Sequence, residues 1–318
     1  MDHPATRLRR LLGLELPLLQ GGMTFGSDAR LVAAVSNAGA LGTLGTFHYR
    51  EPGEVEAQVA AIRAATTRPF AVNVPFFQRS EELVERLARE HGVRLFTLGG
   101  WLTPRIAALR EELELRLLVS VNAPTVARMV LEHPLDVLIV QGNESGGANG
   151  PFTTRQLFDL LQPTCPATPV VLAGGQWDGA DLHRALLLGA AGIQLGTRFF
   201  LSADSPLHAS IKRQLLEHNL KRPLTTALTP VSDTLQMRFV ANKPYRTALD
   251  SGELVATFQD KERVFDLSAA FFRPQERPLL VYAGAGVYKL RAIQTAGEIV
   301  REVAQEYELL RATALPAL

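Results

Sequence analysis

Two hydrophobic patterns alternate along the chain. Short apolar runs end in Gly, Asn, Gln or Ser. Each is followed by a longer stretch in which apolar residues recur at helical spacing. The runs cover 16–20, 40–44, 70–74, 94–98, 117–121, 137–141, 169–173 and 192–196. Helical patterns between them include 28–37, 80–91, 124–132, 154–161 and 178–188. Ser80 followed by Glu81 and Glu82 reads as an N-cap with acids in the first turn. Strands alternating with helices predict a parallel sheet. Eight such units predict a (β/α)8 TIM barrel rather than an open sheet. A dinucleotide-binding sheet expects GxGxxG after its first strand. Here the first run ends QGGMTFG, which has the wrong spacing.

After the eighth run the pattern changes. Residues 205–283 are mixed, with a helical stretch at 210–219 and a polar, aromatic segment at 237–245. We read them as a lid domain inserted over a barrel made of 1–204 and 284–318. A helix over 289–310, with Leu290, Ile293, Ala296, Ile299, Val300 and Val303 at helical spacing, is expected to pack back on the barrel.

Composition narrows the function classes. The chain has 318 residues, 47% of them hydrophobic, and a formal net charge of +1. It can bury a large core, and it has no field that would draw in nucleic acid or an anionic membrane. Arg7-Leu8-Arg9-Arg10 reads as a solvated surface. The one cysteine, Cys165, excludes an internal disulfide. The N-terminus lacks the apolar stretch of a signal peptide, and no 18-residue apolar run is present. The expectation is a cytoplasmic enzyme, with a homodimer as the default assembly.

In such a barrel the active site forms at the C-terminal ends of the strands. Those ends are Gln20-Gly21-Gly22-Met23, Gly42-Thr43, Asn73, Ser120 with Asn122, the loop QGNESGGANG at 141–150, Gly174-Gly175, and Gly196-Thr197-Arg198. Small-residue turns after the seventh and eighth strands match the phosphate site common in these barrels. Gln20, Asn73, Asn122 and Gln141 are neutral amides. They suit a flat heteroaromatic ring with carbonyl and N–H edges, such as an isoalloxazine. They suit a metal poorly, and no HxH or HExxH pattern is present. Trp101 and the pair Phe76-Phe77 follow strands and either shape a pocket or cap the barrel.

These motifs, in this order, resemble the nitronate monooxygenase family, formerly called 2-nitropropane dioxygenases, which also contains FMN-dependent enoyl-thioester reductases. The resemblance rests on LLGLELPLLQGGM, LVAAVSNAGALGTLG, AVNVP, DVLIVQGNESGG, PVVLAGG, GAAGIQLGTRF and VYAGAGVYKLRAIQTAGEIV. The segment 237–245 is more loosely similar to a further region of the family. The resemblance implies FMN across the strand ends. Gly21, Gly22 and Met23 would lie against the flavin, and Asn73, Gln141, Gly146 and Gly147 would contact it. Gly174, Gly175 and the run Gln194, Leu195, Gly196 and Thr197 would hold its phosphate end.

One departure matters. Many members carry a histidine after the double glycine, placed as a proton-transferring group. This chain has Ala148 there. The adjacent Asn149 does not titrate and could only orient a substrate. His48, after the second run, and His208, after the phosphate turn, are the candidate replacements. Tyr49, Tyr245, Tyr282 and Lys243 are less specific candidates. Three functions are therefore carried forward. The first is oxidation of a nitronate or similar carbanionic small molecule with O2. The second is NAD(P)H-dependent reduction of an enoyl thioester or quinone. The third is a flavin-binding barrel without catalysis.

Overall fold

The computed structural model describes residues 3–23, 25–51, 53–75, 80–231, 235–274 and 280–313. Phe76 and Phe77 lie outside the described residues. The strands, in chain order, are β1 (Leu18–Gln20), β2 (Gly42–Gly45), β3 (Phe70–Pro75), β4 (Leu95–Gly99), β5 (Arg116–Val121), β6 (Val137–Gln141), β7 (Gly147–Asn149), β8 (Val170–Ala173), β9 (Gly192–Leu195), β10 (Thr226–Pro230) and β11 (Gln236–Val240). Eight of them form one parallel sheet in the order β1-β9-β8-β6-β5-β4-β3-β2. The remaining edge closes through a parallel bridge between Leu19 and Leu41. The result is the expected TIM barrel.

The seam between β1 and β2 has few ladder bonds. Gln20 N–H donates to Leu41 O at 2.9 Å and Leu41 N–H to Leu18 O at 3.0 Å. The fully buried Gln20 side chain adds two more. Its Oε1 accepts from Thr43 N–H at 2.8 Å and its Nε2 donates to Thr43 O at 2.9 Å. Gln20, read from sequence as an amide free for a ligand, is thus spent on closing the barrel.

Side chains alternate across a strand, and the register fixes which set points inward. Leu19, Ala71, Leu118, Val137, Ile139 and Val171 cluster together in the lower interior. Leu8 and Leu12 of the helix Pro4–Leu12 join that cluster and plug the bottom. The basic residues Arg7, Arg9 and Arg10 of this helix face solvent, as its amphipathic pattern requires. The opposite set, including Val72, Val74, Phe96, Leu98, Leu117, Val119, Leu138, Val140 and Leu195, packs outward against the helices. Each fully buried aliphatic side chain contributes about 1.5–3 kcal/mol.

Two expectations change. The last helix runs Ala296–Thr313 and does not begin at 289, where a short 3-10 turn, Ala285–Lys289, precedes it. The start is fixed by caps. Thr295 Oγ1 accepts from Glu298 N–H, Glu298 accepts from Thr295 N–H, and Asp204 accepts from Ala296 N–H at 2.7 Å. The second change concerns 205–283, which showed few strands in sequence. It contributes the hairpin β10–β11, and β11 pairs with β7 of the loop after β6. No helix among the described residues is long and apolar enough to cross a membrane.

Lys212 sits in the first turn of the helix Ala209–Lys221. It is only 4% exposed, and its Nζ donates to Ser205 O at 2.9 Å. Arg30 donates to the same carbonyl at 3.2 Å. Burial, and then the Arg30 charge, push the Lys212 pKa down to about 8. The unfolded value is about 10.4. The stability linked to this group is therefore complete above about pH 10 and is lost as pH falls through about 8. Lys212→Met should be roughly 1–2 kcal/mol more stable than wild type near pH 7, with the gap closing towards about pH 10. Thermal unfolding across that range checks it, and a gap independent of pH would contradict it.

Candidate active site at the barrel mouth

The upper inward-facing positions follow from the same register. Thr43 pairs with Ala71, Asn73 with Thr97, Ser120 with Ile139, Gln141 with Ala173, and Ala173 with Gln194. The inner face therefore ends in a layer of Thr43, Asn73, Thr97, Ser120, Gln141 and Gln194, all neutral and all able to hydrogen-bond. Asn73 Nδ2 donates to Thr97 Oγ1 at 2.9 Å, which leaves its Oδ1 for another donor. Thr43 Oγ1 is buried with no partner. Gly22 passes so close to Asn73 that a β-carbon there would collide with its side chain. Met23 O closes a tight turn with Gly26 N–H at 2.6 Å, and Gly21 N–H donates to Leu195 O at 2.9 Å.

Not every predicted residue offers its side chain. Leu195 is fully buried on the helix side of the barrel, so only its backbone is at the mouth. Gln141 Nε2 donates to Ala148 O at 3.0 Å and its Oε1 accepts from Ser120 Oγ at 3.3 Å. Gln194 lies beside Gly21. Gly174 and Gly175 both take positive φ, 112° and 70°, which a β-carbon would strain. Gly196 opens the short helix Thr197–Phe200, and a β-carbon on it would meet nothing within 4 Å. Thr197 Oγ1 accepts from Gly284 N–H at 2.8 Å. Trp101 is buried and donates to Val74 O at 2.9 Å, so it caps the barrel wall.

The loop after β6 is held along its length. Gly142 N–H donates to Ala173 O, Asn143 N–H to Phe152 O at 2.8 Å, and Ser145 N–H to Gly142 O. The Glu144 carboxylate accepts from Thr154 N–H and Thr154 Oγ1, both at 2.9 Å, and so adds an acceptor at the start of the helix Thr154–Leu161, whose N-cap is Thr153 in a capping box with Gln156. The one acid of this loop is structural. Asn149 is buried and donates to Ser145 O at 2.9 Å and Gly147 O at 2.6 Å. Ala148 is exposed and lies opposite Met237 across the β7–β11 pair.

The two candidate histidines are not brought to Ala148. His48 packs against Tyr49, ring centroids 4.0 Å apart, and near Phe25 and Phe272. Its loop follows β2, with three strands between it and β6 in either direction around the barrel. His208 caps the helix Ala209–Lys221 through Nδ1, which accepts from Ser210 N–H at 3.2 Å. Burial raises the Tyr282 and Tyr49 phenols well above their ordinary range, and Asp28 and Glu54 add to the effect at Tyr49. Neither phenol is poised to exchange a proton near neutral pH. Among the described residues no group of His, Cys, Asp and Glu is arranged to hold a metal.

A third glycine segment belongs to the site. Gly284 and Ala285 pack on the loop after β6, with Ala285 N–H donating to Glu144 O at 2.8 Å. Sequence quoted this stretch only as part of a motif, and nothing in its pattern said which loop it would touch.

The nitronate monooxygenase family profile matches residues 5–91 and 84–306. The chain belongs to that family. The members of that family are flavin-dependent oxidoreductases. It is 36% identical over 70% of its length to a Mycobacterium tuberculosis protein named (3aS,4S,5R,7aS)-5-hydroxy-7a-methyl-1-oxo-octahydro-1H-indene-4-carboxyl-CoA dehydrogenase. That alignment covers 62% of the relative, so the chain spans less than two thirds of it. It is 29% identical to the nitronate monooxygenase of Pseudomonas aeruginosa, over 94% of this chain and 98% of that one. The solved structure of FabK from Thermotoga maritima superposes with a TM-score of 0.85 over 97% of both chains, at 26% identity.

Glu144→Ala should destabilise the protein by about 0.5–2 kcal/mol, the range for losing a side-chain acceptor at a helix N-terminus. Thermal or denaturant unfolding checks this, and an unchanged midpoint would show that the carboxylate does not support the helix start.

Proposed function

We propose that the protein binds FMN across the barrel mouth and uses it to dehydrogenate, or in reverse reduce, an acyl thioester. The neutral upper layer of the barrel carries the cofactor reading. A charged or metal-binding layer would suit a different group, whereas amides and hydroxyls match the donor and acceptor edges of an isoalloxazine. Asn73 and Gln194 would meet those edges, Gln141 would add only its second Nε2 hydrogen, and Gly21, Gly22 and Met23 would lie against the ring. Backbone at Gly146, Gly147, Gly174, Gly175, Leu195, Gly196 and Thr197 would line the chain and phosphate end. Bound there, FMN supplies reversible two-electron redox chemistry. Residues 205–283 would act as the lid.

The thioester reading is supported by the M. tuberculosis relative, whose name specifies a carboxyl-CoA substrate. It is also compatible with Ala148. No ionisable side chain stands where many relatives carry an imidazole, so this chain would orient the substrate while protons exchange with solvent. Oxidation of a nitronate with O2 is the second reading. It is supported by the P. aeruginosa relative and by the same alanine, because a nitronate is already an anion. A neutral nitroalkane must lose its α-proton, and the missing base should slow it about 10²–10⁴-fold.

The test uses the purified holoprotein. Extracted cofactor should co-elute with FMN. Under anaerobic conditions a matching acyl-CoA should bleach the visible flavin band, or NAD(P)H should bleach it and an unsaturated acyl-CoA restore it. Nitronate-dependent O2 uptake with no response to any acyl-CoA would replace the thioester reading with the second one. A protein that binds no flavin would overturn both.

A further inference from the structure

The barrel mouth makes no use of His218 and Lys243. Both are exposed and stand at the rim of a cavity of about 150 Å³ between the helices Ala209–Lys221 and Lys243–Asp250. Ile211, Leu215, Leu224 and Val281, all buried, form its apolar floor. Ile211, Leu215 and His218 follow one face of the first helix at spacings of three and four residues, and Lys221 continues that face, with Arg222 next to it. On the second helix Arg246 lies one turn after Lys243, on the same face. Lys221, Arg222 and Arg246 are exposed too. Among the described residues none of these cations has a side-chain hydrogen bond or an ion pair.

Helix stability does not account for all of this charge. Cations suit the last turn of Ala209–Lys221. Lys243 and Arg246, however, occupy the first turn of their helix, which has no acid and where the backbone already presents positive charge. A chain of net charge +1 thus gathers unneutralised cations around one apolar hollow. A flat basic surface would suit an acidic protein, whereas a hollow with an apolar floor suits a small ring. Cations on two sides of it suit phosphates at more than one point of the same ligand. The hollow is also near the barrel mouth. Val281 lies three residues before Gly284, which packs on the loop after β6, so their backbones are at most about 11 Å apart. We propose that this hollow binds the adenosine phosphate end of a coenzyme A thioester, with the base on the apolar floor and the phosphates on Lys243, Arg246, His218 and Lys221, while the acyl end reaches the barrel mouth. This rests on the thioester reading above and adds to it a site on the lid.

The test uses the nucleotide end alone. The purified holoprotein is titrated calorimetrically with adenosine 3′,5′-bisphosphate, with adenosine 2′,5′-bisphosphate and with adenosine. Wild type should bind the 3′,5′-bisphosphate most tightly, and the affinity should fall as salt is added. Lys243→Ala should weaken it about tenfold, the scale of one charge-assisted hydrogen bond, and Lys243→Arg should recover part of the loss. Arg301→Ala, which removes an exposed cation of the last helix, should change nothing. With an acyl-CoA substrate Lys243→Ala should raise KM and leave kcat unchanged, and a thioester without the nucleotide should not distinguish it from wild type. Three results would overturn the inference: no binding of the 3′,5′-bisphosphate, binding indifferent to Lys243→Ala, or tighter binding of the 2′,5′-bisphosphate, the mark of a nicotinamide cosubstrate. If acyl-CoA still bleaches the flavin in those cases, the thioester reading stands. Failure of that reading has a different signature: the 3′,5′-bisphosphate binds through Lys243 while no acyl-CoA bleaches the flavin, and the coenzyme A assignment falls with it.

Discussion

Three residue pairs hold the mouth of this barrel in shape: Gly147 with Arg238, Ala148 with Met237, and Asn149 with Gln236. They join a loop of the barrel to the hairpin that follows it by some eighty residues. Without that pairing the loop after β6 would lose its support on the side away from the barrel. The turn of Gly147 and the exposed position of Ala148 both depend on it. The glycine segment at 284–286 then packs on the loop's other flank. This side of the mouth is therefore built from three stretches distant in sequence, and the β7–β11 ladder joins two of them.

The barrel itself was legible because its signals are local. Apolar runs separated by amphipathic stretches specify parallel strands with covering helices, and the eight runs are the eight barrel strands to within about two residues. The polar upper layer was also partly legible, since Asn73 and Gln141 end their runs. Gln20 shows where such reading stops. Its type and position suited a ligand, yet the β1–β2 seam, with few ladder bonds, claimed both ends of its amide. That demand exists only once the barrel closes.

The loop 141–150 shows the same limit more sharply. Its glycines pointed correctly to close packing. Nothing in QGNESGGANG announced that its last part is a strand, because its partner lies far along the chain and Gly and Asn are poor strand formers. Glu144, the one acid of the loop, is an acceptor at the start of the helix Thr154–Leu161. Asn149 looked like a substrate contact and is turned into its own loop. The alanine at 148 kept its meaning: among the described residues neither candidate imidazole is brought to it, since His48 follows β2 across the barrel and His208 is spent as a cap.

The central claim is that this loop, its glycine flank and the turn after β9 together enclose FMN. Hydrogen–deuterium exchange of the apoprotein and the FMN-loaded protein, compared peptide by peptide, tests it most directly. The account predicts added protection at 142–149, 174–175, 196–198 and 283–286, with little change at the base of the barrel around the helix Pro4–Leu12. Protection confined to other regions, or an exchange pattern unaltered by FMN, would contradict it.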